Sequence, residues 1–202
     1  MADRGFIFGN DSVLAFLAGR KTQTRRVIKS EDDPAPGYVW GECICREIDP
    51  SDTPCCVCEC RFSAPYALPG DVVWVREALV LGSRGKWHYE ADGTRVKVAK
   101  CSADDAFAWA HHKDTDRCSA RHMPKFAARI RRAVLSVRPE RLQDITRADA
   151  LAEGVDPYEC PSGPATPCEL SAFVEHWNRI NGKRAPWRSN PFVWRYELGE
   201  VP

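Results

Sequence analysis

The chain has 202 residues, 44% of them hydrophobic, and a formal net charge of +1; it can bury one good core, is too apolar to be disordered and too nearly neutral to be a generic polyanion binder. No apolar run reaches the length of a membrane span and Met1-Ala2-Asp3-Arg4 opens nothing like a secretory signal. The expectation is therefore a single cytoplasmic domain over 1–202, with no membrane partner. The charge is uneven, with eight acidic residues against one basic residue between Ser30 and Cys60, and eight basic against one acidic between Arg117 and Arg141. A basic face beside an acidic appendage fits nucleic acid or another anionic partner, and equally fits solvated faces.

In chain order, Asn10 or Asp11 can cap a short apolar helix through Leu17, and Gly19 can end it in the left-handed conformation. Gly19-Arg20-Lys21-Thr22-Gln23-Thr24-Arg25-Arg26 then leads into Val27-Ile28 as a tight helix–strand junction. Residues 30–62, with four prolines and six of the ten cysteines, read as an acidic, Cys-rich insertion. Pro69-Gly70-Asp71 is a turn before the strand Val72–Glu77, whose alternation puts Trp74 and Arg76 on one face and Val73, Val75 and Glu77 on the other. Trp87–Glu90, the turn Ala91-Asp92-Gly93 and Arg95–Val98 form a hairpin.

A long strand signal runs from Ala127 to Val137, with imperfect alternation that predicts a bulge. Thr146 with Asp149 starts a short helix, Ala148–Glu153, closed by Gly154. A Pro-rich loop over 156–167 leads to an amphipathic helix from about Glu169 to Ile180, with Leu170, Phe173, Val174 and Trp177 on one side. The last strand is Pro191–Leu198. Strands and short helices out of strict alternation predict an α+β domain on a small barrel or curled sheet.

Several of these segments, taken together, resemble an ASCH domain protein of the phage and prophage type. They are Leu17–Arg26, Pro69-Gly70-Asp71 with Trp74-Val75-Arg76-Glu77, His122-Met123-Pro124, Leu142–Thr146 with Ala152-Glu153-Gly154-Val155, and Asn190–Trp194. The resemblance covers most of the chain apart from 30–62 and 156–167. It implies a PUA-like small β-barrel with a few short flanking helices, a fold associated with RNA binding. The chain is more distantly similar to the bacterial N4-acetylcytidine amidohydrolases, which are roughly half its length. By that similarity Lys21, Thr24 and Glu153 would carry amide hydrolysis with no cofactor required for catalysis.

The chemistry of those three residues suits the implied reaction. Thr24 Oγ can attack, a desolvated Lys21 can take its proton, and Glu153 can hold a water or pass a proton to the leaving amine. Lys21 and Thr24 have opposite parity on an ideal strand, so they converge only if Lys21 sits in the turn before the pleat begins. On the residues alone, Lys21 with Arg20, Arg25 and Arg26 equally reads as an anion-binding strand start, with Thr22 and Thr24 filling strand positions.

Further candidates for contact with a nucleoside, RNA or DNA are Trp74 and Trp194 as stacking surfaces, Arg76, Glu77 and Arg129 as polar contacts, and His122 as a pocket-lining group. Trp74 and Trp194 equally read as core residues of adjacent strands. Cys43, Cys45, Cys55 and Cys58 can hold one structural zinc, or be reduced thiols in a surface loop. Three functions follow: a nucleoside- or nucleic-acid-binding domain that hydrolyses an N-acylated cytosine, a non-catalytic module for RNA or a modified base, or a phage assembly factor docking through the acidic insertion.

Overall fold

The structure, a computed structural model, describes residues 2–28, 65–83, 85–97, 116–156 and 168–201. The insertion at 30–62, its four candidate zinc ligands and nearly all of the Pro-rich loop lie outside these residues.

Eight strands and three helices are described: β1 (Asp3–Ile7), α1 (Asn10–Leu17), β2 (Gln23–Val27), β3 (Val72–Arg76), β4 (Leu79–Leu81), β5 (Trp87–Tyr89), β6 (Arg117–Cys118), β7 (Arg131–Arg141), α2 (Arg147–Ala152), α3 (Cys168–Asn181) and β8 (Phe192–Gly199). They form a five-stranded sheet in the order β1-β3-β7-β8-β2 and a three-stranded sheet in the order β5-β4-β6. The class is α+β, as expected. Among the described residues the large sheet is not a closed barrel: β1 pairs only with β3 and β2 only with β8. The two edges still face one another, because Arg26 of β2 donates from Nη2 to the Ile7 carbonyl of β1 at 2.8 Å and lies over the rings of Phe6 and Phe8. A curled sheet with a side-chain-bridged seam is the result.

Local signals account for most element ends. Gly19 has φ +72°, ending α1 as expected. The start of α1 differs from expectation: Gly9 is the N-cap, with no side-chain cap bond, and the Asn10 amide is drawn away to Glu90 at 3.4 Å. Thr146 and Asp149 form the reciprocal capping box of α2. The hairpin closes through Val96 N to Trp87 O and Tyr89 N to Thr94 O.

The strand expected from Ala127 begins only at Arg131, because 125–127 form a 3-10 turn, and it runs on to Arg141. The predicted irregularity is a register shift between Val134 and Ser136. Pro139 is tolerated because β3 pairs with β7 only at 131–133, so β7 has a single partner, β8, at that point.

The main core joins Phe6, Phe16, Val73, Val75, Val134, Tyr196 and Leu198 between the curled sheet and α1. A second cluster, with Leu79, Trp87, Tyr89 and Met123, underlies the small sheet. A third packs α3 through Phe173 and Trp177 onto Leu142, Ala150 and Val193. The apolar stripe read from the α3 sequence is thus the face that seats this helix, and burying Phe173 alone stabilises by about 2–3 kcal/mol.

Candidate active site

The junction expected from sequence is stitched to the end of α2 by backbone. Thr22 N donates to Ala152 O at 2.8 Å, Leu198 N donates to Thr22 O at 2.7 Å, and Ala15 O accepts from both Arg20 N and Lys21 N. Lys21 therefore lies in the turn before β2 rather than in the pleat, which removes the parity conflict with Thr24. Gly154 makes the approach possible. At φ +86° it takes a conformation unfavourable for other residues, and a Cβ there would stand 2.6 Å from Ala15 Cβ and 3.0 Å from Lys21 Cβ.

Lys21 is 3% exposed. Its Nζ donates to Glu153 Oε2 at 2.7 Å and to the Glu153 carbonyl at 2.8 Å, with the rings of Phe8 and Phe16 within 6 Å. The other carboxylate oxygen, Oε1, accepts from Arg25 Nη1 at 3.2 Å. Arg25 is fully enclosed and its Nε donates to Glu140 at 2.7 Å. Beyond it, Arg195 donates to Gln23 and to Asp149. Burial lowers the pKa of Lys21 below that of an ordinary lysine; the Glu153 carboxylate acts against this and Arg26 and Arg25 add to it.

These groups border a cleft of about 700 Å³ lined by Lys21, Thr24, Arg25, Arg26 and Glu153 on one side and by Phe173, His176 and Trp177 of α3 on another, with Glu90 and Arg117 at the small sheet. Such a volume suits a nucleoside-sized ligand. Thr24 is buried and lines the same cleft as Lys21, but among the described residues no hydrogen bond joins its hydroxyl to the lysine. A neighbouring cavity of about 440 Å³ shares Glu153 and His176 and includes Arg20, whose Nη1 donates to Gly154 O at 3.3 Å.

Other sequence candidates fall elsewhere. Thr22 is exposed and outside the cleft. Trp74 and Arg76 do share a face, with the guanidinium carbon 5.4 Å from the ring centroid, but Trp74 is buried and Arg76 donates to the Arg121 carbonyl. Trp194 is a buried core residue, and β7 separates its strand from that of Trp74, so the two are not on adjacent strands. Glu77 is wholly buried and gripped at both oxygens by Arg129, which also reaches Asp92 and stacks on Tyr89. His122 is exposed and does not itself line the cleft, although Ala120 of the same turn does.

The basic run at 117–141 is largely neutralised within the fold. Arg117 pairs with Glu90, Lys125 and Arg131 with Asp3, Arg129 with Glu77 and Asp92, and Arg138 with Glu140. Five of its eight basic residues are thus ion-paired, and Arg132 donates instead to the carbonyls of Arg131 and Phe16. Cys118 is a buried thiol pushed up to about 11 by burial, so it is no nucleophile. Among the described residues no cluster of three His, Cys, Asp or Glu side chains could hold a metal ion, and no helix is long and apolar enough to cross a membrane.

Sequence reasoning missed two contributors. Arg25 read as a phosphate contact, yet it fixes Glu153 from inside the fold. His176 was passed over, although it stands three residues after Phe173 on the buried face of α3, which is the spacing that brings it to the cleft. Comparisons with family models, curated proteins and solved structures gave no match to this chain.

Proposed function

We propose that this chain is an ASCH-type, PUA-like domain whose cleft binds a nucleoside, free or within RNA or DNA, and hydrolyses the amide of an N-acylated cytosine. The observation that carries the reading is the meeting of Lys21 and Glu153, 132 residues apart, at 2.7 Å inside a cleft that Thr24 also lines. A lysine kept out of water loses its proton more readily, so a neutral amine becomes accessible nearer to neutral pH.

In the proposed reaction Thr24 Oγ attacks the acyl carbon as its proton passes to the neutral Lys21 amine. The carbonyl π pair moves to oxygen. Collapse of the adduct breaks the C–N bond, and the proton on Lys21 goes to the departing exocyclic amine. Water, oriented by Glu153, then cleaves the acyl-threonine ester, releasing the acid and restoring the hydroxyl. Arg25 holds Glu153 in place, and Phe173 and Trp177 supply apolar wall for a base.

The test is incubation of the purified chain with N4-acetylcytidine, as nucleoside and within RNA and DNA, with deacetylation followed by chromatography. Turnover that disappears in Lys21→Ala and Thr24→Ala is expected. Absence of turnover on every substrate sinks the reading. A cleft that holds its ligand without reacting is the second reading, favoured by the lack of a Lys21–Thr24 hydrogen bond among the described residues. It predicts nucleoside binding with no product at any pH.

A further inference from the structure

Among the described residues His176 is the one imidazole that borders both cavities. Its Nδ1 lies 3.0 Å from Arg179 Nη2, and Arg179 is itself anchored by an ion pair to Asp11 of α1. A guanidinium has only donors, so Nδ1 must accept and cannot carry a proton. In the neutral ring the proton is therefore on Nε2, which has no hydrogen-bond partner among the described residues. The charged groups around the ring favour this form: burial, Lys21 and Arg179 lower its pKa and outweigh Glu153 and Asp11, which act the other way.

We infer that His176 is a neutral hydrogen-bond donor of the cleft, offering Nε2–H to the acyl oxygen of the ligand while Thr24 attacks from β2. This role rests on the hydrolytic reading above and adds to it the group that receives the developing charge. The proposed nucleophile, base and carboxylate leave the carbonyl oxygen without a donor, and an amide needs one because its carbonyl is poorly electrophilic. A neutral imidazole fits here because it donates a hydrogen bond without adding a full positive charge beside Lys21, whose amine has to be neutral to act. Arg179 is then a positioning residue, acting through the tautomer it imposes.

Two measurements on the full chain test this. Nitrogen-15 NMR of the histidine-labelled protein near neutral pH should assign the His176 proton to Nε2, and Arg179→Met should release that preference. Kinetics with N4-acetylcytidine should show that His176→Phe lowers kcat by about 10²–10³-fold while KM changes by less than about threefold, and that His176→Gln, which can place an amide N–H near the Nε2 position, recovers part of the loss. Urea midpoints for both variants separate chemistry from folding. A proton on Nδ1, a doubly protonated ring, or His176→Phe with unaltered kcat overturns the role of His176 alone. No turnover by the unaltered chain overturns the hydrolytic reading, and this role with it.

Discussion

Two buried carboxylates, Glu153 and Glu77, are each held by an arginine, and each has a cationic partner lying over an aromatic ring, yet they are built to different ends. Glu77 gives both oxygens to the single guanidinium of Arg129, at 2.9 and 2.8 Å, and Tyr89 and Asp92 complete the enclosure. That partner keeps its charge: against the cost of burial, Glu77 and Asp92 hold Arg129 above its usual pKa. Glu153 divides its oxygens between Arg25 and Lys21. One partner is permanently charged and the other can lose a proton. The second cluster also opens onto a cleft. A saturated ion pair fixes a fold, whereas a pair with one titratable member and one open side can move a proton.

The largest expected effect separates the clusters by activity. Lys21→Ala lowers turnover of N4-acetylcytidine by about 10³-fold or more, as for loss of a positioned base, while Asp92→Asn in the other cluster leaves it unchanged. Steady-state rates of both variants check this, and equal behaviour would erase the contrast.

In stability the order is reversed. Arg129→Met strands Glu77 and costs about 3–5 kcal/mol because an unpaired charge stays buried, whereas Arg25→Met costs less, because Lys21 still pairs with Glu153 and Arg138 lies 3.6 Å from Glu140. Urea midpoints give the values. A smaller loss is expected from Gly154→Ala, about 1–2 kcal/mol from the positive φ alone, with turnover reduced as well because the added Cβ presses on Lys21.

The pH dependences differ most subtly. Arg129 holds the Asp92 carboxyl down at about 2, against an ordinary 3.8. Its contribution is therefore complete above the ordinary value and is lost as pH falls through about 2, and Asp92→Asn should flatten acid unfolding in that window. Lys21 titrates below 10.5, and Glu153→Gln should lower it further, because the carboxylate is what favours the ammonium. NMR of the lysine ζ nitrogen detects the shift, and a rise would contradict the assignment.

What could be read from the sequence was mostly local. The α2 cap, the left-handed Gly19, the hairpin turn and the helical stripe of Phe173 and Trp177 depend on residues within a few positions of one another, and the structure has them. The same is true of Lys21 in the turn, since Gly19 ends α1 just before it. Less legible were features set by partners more than a hundred residues away. Arg25 looked like a surface cation because its partners, Glu140 and Glu153, are distant in the chain. Of the carboxylates that pair with the basic 117–141 run, only Glu140 lies within it; Asp3, Glu77, Glu90 and Asp92 are distant in the chain. Closure of the sheet depends on which edges pair, and among the described residues β1 and β2 share no strand pairing but a hydrogen bond from the Arg26 side chain. His176 could have been found by asking what else shares the face of Phe173 and Trp177.

The most direct test is product formation from N4-acetylcytidine by the purified chain, with Lys21→Ala and Thr24→Ala run beside it. The account predicts cytidine and acetate from the unaltered protein and neither from the two variants; no cytidine from the unaltered protein, or equal release by all three, would contradict it.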